Sequence, residues 1–141
     1  MFFKPMLLPM IAMVGLTVVV WAYMYITRIS EMSRKNIDPQ QLDTHANALA
    51  LLTDSSGPSN NLRNLFEMPV LFYLAVTLTL VLLIQDTLLI ALSWAYVVLR
   101  VVHSYIHCTY NNVLHRFTIY VASCVVLFLI WAQLSWYVIS N

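Results

Sequence analysis

Residues 87–110 read TLLIALSWAYVVLRVVHSYIHCTY, and after Asn111 and Asn112 residues 113–139 read VLHRFTIYVASCVVLFLIWAQLSWYVI. A helix that crosses a bilayer needs about 20 mostly apolar residues, and each run exceeds that. Backbone polar groups cannot be left open to lipid, so the runs are helices or strands of a closed barrel. Barrel strands are segments of about 10 alternating residues, which these long continuous runs are not. Asp86 precedes the first run and Asn112 the second, and both are residue types that cap helix N-termini. A joint as short as Asn111–Asn112 forces the two helices to run antiparallel.

Working outward, two further runs qualify. One lies near Pro5–Thr27, with Pro5 and Pro9 early enough in the helix to be tolerated. The other lies near Asn61–Ile84 and reaches the third span through Gln85 and Asp86. The expected fold is an all-α membrane protein, an up-down bundle of four transmembrane helices forming one domain over residues 1–141. Composition agrees. Hydrophobic residues make up 61% and charged residues 9% of the chain, against roughly 25% charged in a soluble domain. Mean hydropathy is +0.78. A net charge of +1, with no long basic run, gives no sign of nucleic-acid binding. Cys108 and Cys124 fall inside apolar stretches and read as buried thiols rather than a disulfide framework. Lys4 precedes an apolar run longer than a signal-peptide core and without a small-x-small cleavage site, so it reads as a retained first span. Tyr23, Tyr25, Trp131, Trp136 and Tyr137 read as interfacial aromatics or bundle packing.

The remaining connection, residues 28–60, holds most of the charge. Within it, Asp38-Pro39-Gln40-Gln41 has the form of a helix start: a capping Asp, Pro at N1 and Gln at N3. Leu42, Ala46 and Leu49 then fall on one face, which predicts a short amphipathic helix on the membrane or over the bundle mouth. Asp54-Ser55-Ser56-Gly57-Pro58 is turn chemistry. Arg28, Arg34 and Lys35 accompany this loop, against Lys4 on the other side. The positive-inside rule therefore places the loop in the cytoplasm and both termini outside, in a bacterial inner membrane or an intracellular membrane.

Arg63, Glu67, Arg100 and Arg116 lie in or at the ends of the spans. At mid-membrane each costs about 2.5–3.5 kcal/mol on insertion scales, which makes an intramembrane charge a functional-site hypothesis by default. Topology brings the first loop, the start of span two, the end of span three and the start of span four to one side. At about 1.5 Å per residue, Glu67 and His103 lie roughly 10 Å deep and Arg100 about 15 Å. Arg63 and Glu67 are one turn apart. Arg100, His103 and His107 share one face of span three, and Arg116 and Tyr120 share one on span four. Pro69 is expected to kink span two beside this group. Internal pairing could account for Arg63 and Glu67, but three arginines against one glutamate leave surplus positive charge. Buried charges without partners are costly, and Arg116 sits at a positive helix N-terminus. The missing partner is an anion, and a guanidinium fork suits a carboxylate. His103 and His107 also form an HxxxH pair, a spacing open to metal. Four histidines are too few for a multi-box diiron membrane oxygenase, His45 and His115 read as loop and helix-end residues, and no metal is expected.

The series Arg63-Asn64-Leu65-Phe66-Glu67, Arg100-Val101-Val102-His103 and Arg116-Phe117-Thr118-Ile119-Tyr120 resembles the MAPEG superfamily, the membrane-associated proteins in eicosanoid and glutathione metabolism. RNxxE, RxxH and RxxxY occur in order on the expected helices, and the likeness spans nearly the whole chain. Arg28 matches a further family arginine by its distance ahead of Arg63. The resemblance implies a homotrimer that binds glutathione between neighbouring subunits near the cytosolic side. It implies that Arg116 stabilises the thiolate as the catalytic residue. Arg28, Arg63, Asn64 and Glu67, with Arg100, His103 and Tyr120, would hold the tripeptide. His107 joins them, at a position where glutathione-using members often carry tyrosine. Asn60 and Phe117 also depart from family patterns, the latter from the serine of a prostaglandin-forming branch. The implied activity is a glutathione-dependent transferase or peroxidase acting on lipophilic electrophiles or lipid hydroperoxides that arrive from the bilayer. The alternative is a non-catalytic lipid-binding accessory protein of the same superfamily.

Overall fold

The computed structural model describes residues 4–140. The helices are α1 (Lys4–Lys35), α2 (His45–Leu51), α3 (Ser56–Leu65), α4 (Pro69–Val81), α5 (Thr87–Cys108) and α6 (Val113–Ser140), with one 3-10 turn at Pro39–Leu42 between α1 and α2. No strand occurs among the described residues. Helix α1, the α3–α4 segment, α5 and α6 are each long and apolar enough to cross a membrane. The expected four-span, all-α bundle is therefore the fold.

Helices α5 and α6 form the most extensive contact, α1 lies against α3, α4 and α5, and α4 touches α6. The shared core contains Met13, Phe72, Val76, Leu89, Leu127 and Ile130. Phe72 stacks on Tyr96 with ring centroids 4.7 Å apart. The opposite faces remain apolar, with Val18, Val98, Val125 and Phe128 exposed. Helices apolar all round suit a lipid solvent, where association depends on close packing and interhelical hydrogen bonds rather than on hiding apolar surface. Such bonds occur at both ends. Asp86 caps α5 through Leu88 N at 2.7 Å and accepts from Gln133 Nε2 of α6, also at 2.7 Å. Asn112 caps α6 through His115 N. At the other end of α5, buried Asn61 of α3 accepts from Ser104 Oγ and donates to Cys108 Sγ. Both cysteines are free and half-buried. Trp131 packs against the core, while Trp136 is exposed.

Several local expectations change. Helix α1 continues two turns past Thr27 to Lys35, because the segment contains no Pro or Gly and a helix need not end where the hydrocarbon does. It closes at Asn36, whose φ of 51° suits Asn, with Ile37 N donating to Met32 O. The capping box at Asp38 and Gln41 forms as expected but supports only the 3-10 turn. Asp43 and Thr44 then take Asn47 Nδ2 and Asn47 N as side-chain partners. Such local bonds compete with helix continuation, so α2 starts afresh at His45. The expected turn at residues 54–58 stops at Ser55, and Pro58 sits in the first turn of α3, where its missing N–H costs nothing. Pro69 does more than kink the second span. It ends α3 at Leu65 and opens α4 at its first position, since it has no N–H to continue the ladder. Helix α4 closes at Val81, before the expected Ile84. Leu83 there adopts a φ of 57°, and Ile84 N reaches back to Thr79 O.

Helix α3 crosses the last turn of α5 very closely. A Cβ on Gly57 would lie 2.8 Å from the carbonyl oxygen of His107, whereas one on Gly15 would meet nothing within 4 Å. Gly57→Ala is expected to cost about 1–3 kcal/mol through forced backbone separation. Gly15→Ala is expected to raise stability by about 0.5–1 kcal/mol through helix propensity. Thermal unfolding of both variants in one detergent checks the contrast, and equal shifts would refute the close crossing.

Candidate anion-binding cleft

The site forms where α3, α5 and α6 meet. A cleft of about 430 Å3 is lined by Asn60, Arg63 and Asn64 of α3, His103 and His107 of α5, and Val113, Arg116, Phe117 and Tyr120 of α6. This volume lies within the range of small-molecule sites, roughly 300–1,000 Å3. Arg63 and Arg116 line it, and no acidic residue does.

Arg100 lies behind this wall and is fully buried. Its Nη2 donates to Asn64 O at 3.0 Å, and its guanidinium carbon lies 5.6 Å from the Tyr120 ring centroid. Its Nε and Nη1 are buried with no hydrogen-bond partner among the described residues. Buried polar groups are almost always paired, so an unpaired guanidinium edge under a cationic cleft asks for an acceptor.

The two histidines serve Arg116 from below. His103 Nδ1 donates to the backbone carbonyl of Arg116 at 3.1 Å. His107 Nε2 accepts from Arg116 Nη1 at 2.9 Å. The same Nη1 donates to Asn111 Oδ1 at 2.8 Å. Asn111 occupies the α5–α6 joint with a φ of 47°, which Asn tolerates better than most residues. The histidine rings meet edge to face at 5.5 Å, and His103 lies 5.6 Å from Tyr120.

The shared face of Arg100, His103 and His107 is present, and all three are buried. So is the shared face of Arg116 and Tyr120, both on the cleft wall. Arg63 and Glu67 do not behave as one helical turn. Helix α3 ends between them, Glu67 is exposed in the break, and no ion pair joins the two among the described residues. Arg63 instead donates through Nη2 to His45 Nε2 of α2 at 2.7 Å. Arg28 also lies apart. It lines a separate cavity of about 170 Å3 with Leu42, His45, Leu52 and Ser59. In the single chain the cleft thus gathers Arg63, Asn64, His103, His107, Arg116 and Tyr120, with Arg100 beneath and Arg28 and Glu67 outside.

Three supporting residues escaped the sequence reading. Asn61 is a polar residue in an apolar span, a signal that was available. Asn111 reads from the sequence only as part of the joint between two spans. Glu31 is buried at the end of α1. It accepts from Asp54 N at 2.9 Å, Ser55 N at 2.8 Å and Ser55 Oγ at 2.7 Å, and it pairs with Lys35. It thereby anchors the start of α3, the helix that carries Arg63 and Asn64. Lys35 is one turn along the same helix, but the Asp54 and Ser55 partners lie more than twenty residues away, so no local pattern announces the anchoring role.

Four spans with a cation-rich cleft at one end define a multi-pass helical membrane protein. The MAPEG family model matches residues 6–136, nearly the whole chain, and the protein belongs to that family of membrane proteins in glutathione and eicosanoid metabolism. Comparison with curated proteins and with solved structures gives no match.

Proposed function

We propose that the protein is a membrane-embedded glutathione-dependent transferase or peroxidase, acting on lipophilic electrophiles or lipid hydroperoxides from the bilayer. The observation that carries this reading is the charge balance: three arginines at or beneath a cleft that no acid lines, one of them buried with unpaired donors. Glutathione has two carboxylates to meet those donors and a thiol to deliver. Arg116 is the catalytic residue, and Arg63, Asn64, Arg100, His103, His107 and Tyr120 hold the tripeptide. Arg28 and Glu67 would be supplied across the interface of a homotrimer, with the cleft facing the cytoplasm.

The chemistry follows from the thiol. A free thiol has a pKa of about 8.5, and a guanidinium together with a helix N-terminus lowers it. The proton leaves to solvent. The thiolate sulfur then attacks the electrophilic carbon, forming a carbon–sulfur bond as the bond to the leaving group breaks, or as a π bond opens and the adduct takes a proton from solvent. With a hydroperoxide, the sulfur takes the terminal oxygen as the O–O bond breaks, giving glutathione sulfenic acid and an alkoxide that leaves as the alcohol with a proton from solvent. A second glutathione then condenses with the sulfenic acid to the disulfide, releasing water. The exposed apolar ring of Phe117 at the cleft rim suits entry of such a substrate from lipid.

Calorimetric titration of glutathione into purified protein tests the reading, with the ultraviolet thiolate band followed in parallel. Arg63→Ala is expected to weaken binding about 10-fold or more, by loss of one charge-assisted contact. Arg116→Ala is expected to abolish the thiolate band. A protein that binds no glutathione would end this proposal. The alternative is a lipid-binding accessory protein, favoured by the engagement of Arg116 Nη1 with His107 and Asn111. Co-purification of a tightly held lipid, without a thiolate band on adding glutathione, would identify it.

A further inference from the structure

We infer that His107 is a positioning residue, locked as the neutral Nδ1–H tautomer, that aims the Arg116 guanidinium into the cleft. The inference concerns the same site as the proposed glutathione function, and its kinetic consequences rest on that reading.

The tautomer follows from the partners. Arginine has only donors, so His107 Nε2, 2.9 Å from Arg116 Nη1, is the acceptor. A neutral imidazole then carries its proton on Nδ1. The other ring is fixed in the same form for the opposite reason. A backbone carbonyl only accepts, so His103 Nδ1 donates to Arg116 O and its Nε2 is left as a lone pair. Arg116 is therefore gripped at two points by one face of α5, its backbone by His103 and its side chain by His107. Asn111 makes a third attachment through Oδ1.

The position is built to hold. His107 is 2% exposed, and α3 passes over its carbonyl so closely that Gly57 has no room for a Cβ. The ring abuts His103 edge to face. A long arginine side chain on the wall of an open cleft has many rotamers. Holding Nη1 between Nε2 of His107 and Oδ1 of Asn111 removes most of that freedom before any ligand arrives. Preorganised donors act without reorganising at the moment of reaction. The buried Nδ1–H of His107 has no partner among the described residues, while its ring lines the cleft.

Two measurements test this, and one needs no ligand. In the full-length protein with 15N-labelled histidine, reconstituted in lipid nanodiscs, the His107 resonances, assigned by their loss in His107→Gln, should report a protonated Nδ1 and a bare Nε2. A protonated Nε2 overturns the inference whether or not glutathione binds. With glutathione at saturation, His107→Phe should lower kcat and the bound thiolate signal about 10-fold or more, as expected for a displaced catalytic group, whatever the accompanying change in KM. His107→Gln, whose amide oxygen can accept from Arg116, should recover most of both. Unchanged thiolate in His107→Phe, or no recovery in His107→Gln, overturns the inference. If the wild type binds no glutathione, the functional reading fails, and the nitrogen shifts alone decide the placement of Arg116.

Discussion

Arg100→Leu is expected to fold about as stably as the wild type and to lose most of its affinity for glutathione. Arg100 is fully buried, and only its Nη2 has a protein partner, the carbonyl of Asn64. A buried ion without good pairing costs several kcal/mol, and apolar replacements of buried charges are often neutral or stabilising by about 1–4 kcal/mol. Against this, the variant leaves Asn64 O without its donor, at about 1–3 kcal/mol. The two effects nearly cancel, so thermal unfolding without ligand should shift little. Ligand binding should respond differently. Losing charged hydrogen bonds to a carboxylate costs about 1.5–3 kcal/mol each, or about 10- to 150-fold in Kd. Calorimetry and thermal unfolding on the same preparation separate the two quantities. A variant that unfolds readily yet binds normally would make Arg100 a structural residue. Arg100→Lys is a further control, since it retains charge and loses the planar fork.

Glu31→Ala should show the reverse pattern, with a large loss of stability followed by a loss of site geometry. The carboxylate satisfies the backbone N–H groups of Asp54 and Ser55 and the Ser55 hydroxyl, and it pairs with Lys35. Lys35 also reaches Leu51 O and Thr53 Oγ1, so the end of α1, the end of α2 and the start of α3 meet on this pair. Hydrogen bonds to a charged group contribute about 1.5–3 kcal/mol. Removing one partner of a buried pair costs about 3–5 kcal/mol. Lys35 is about one-third exposed and can return to water, which reduces the penalty, so a loss of about 2–4 kcal/mol is expected. Thermal unfolding measures it, and amide exchange at Asp54 and Ser55 should accelerate in the folded state. Lys35→Met is the discriminating companion. It removes the charge pair and leaves the Asp54 and Ser55 N–H groups donating to the Glu31 carboxylate, so it should cost clearly less. Equal losses in the two variants would place the contribution in the ion pair rather than in the anchoring of α3.

The parts that could be read in advance share one property, which is that their cause is local. Four runs of about 20 apolar residues predict four spans because bilayer thickness imposes the length. Asp86, Asn112 and the Asp38–Gln41 box predict their caps because donor and acceptor lie within three residues. The common face of Arg100, His103 and His107 follows from helical period alone. Arg63 and Glu67 stay unpaired with each other for an equally local reason. Pro69 ends the helix between them instead of bending it, and Arg63 then finds His45.

The amino-acid sequence by itself determined the four-helix membrane fold, the antiparallel order of its spans and the gathering of arginines at one end. It did so because hydropathy, helical period and joint length act along the chain. Only the tertiary structure decided how that charge is used. It buried Arg100 behind Tyr120, tied Arg116 to His107 and Asn111, set Arg28 in a separate cavity and made Glu31 the anchor of α3. Each of these depends on which helix faces come into contact and how closely they cross. Such choices are settled by side-chain packing and hydrogen bonds between segments distant in sequence.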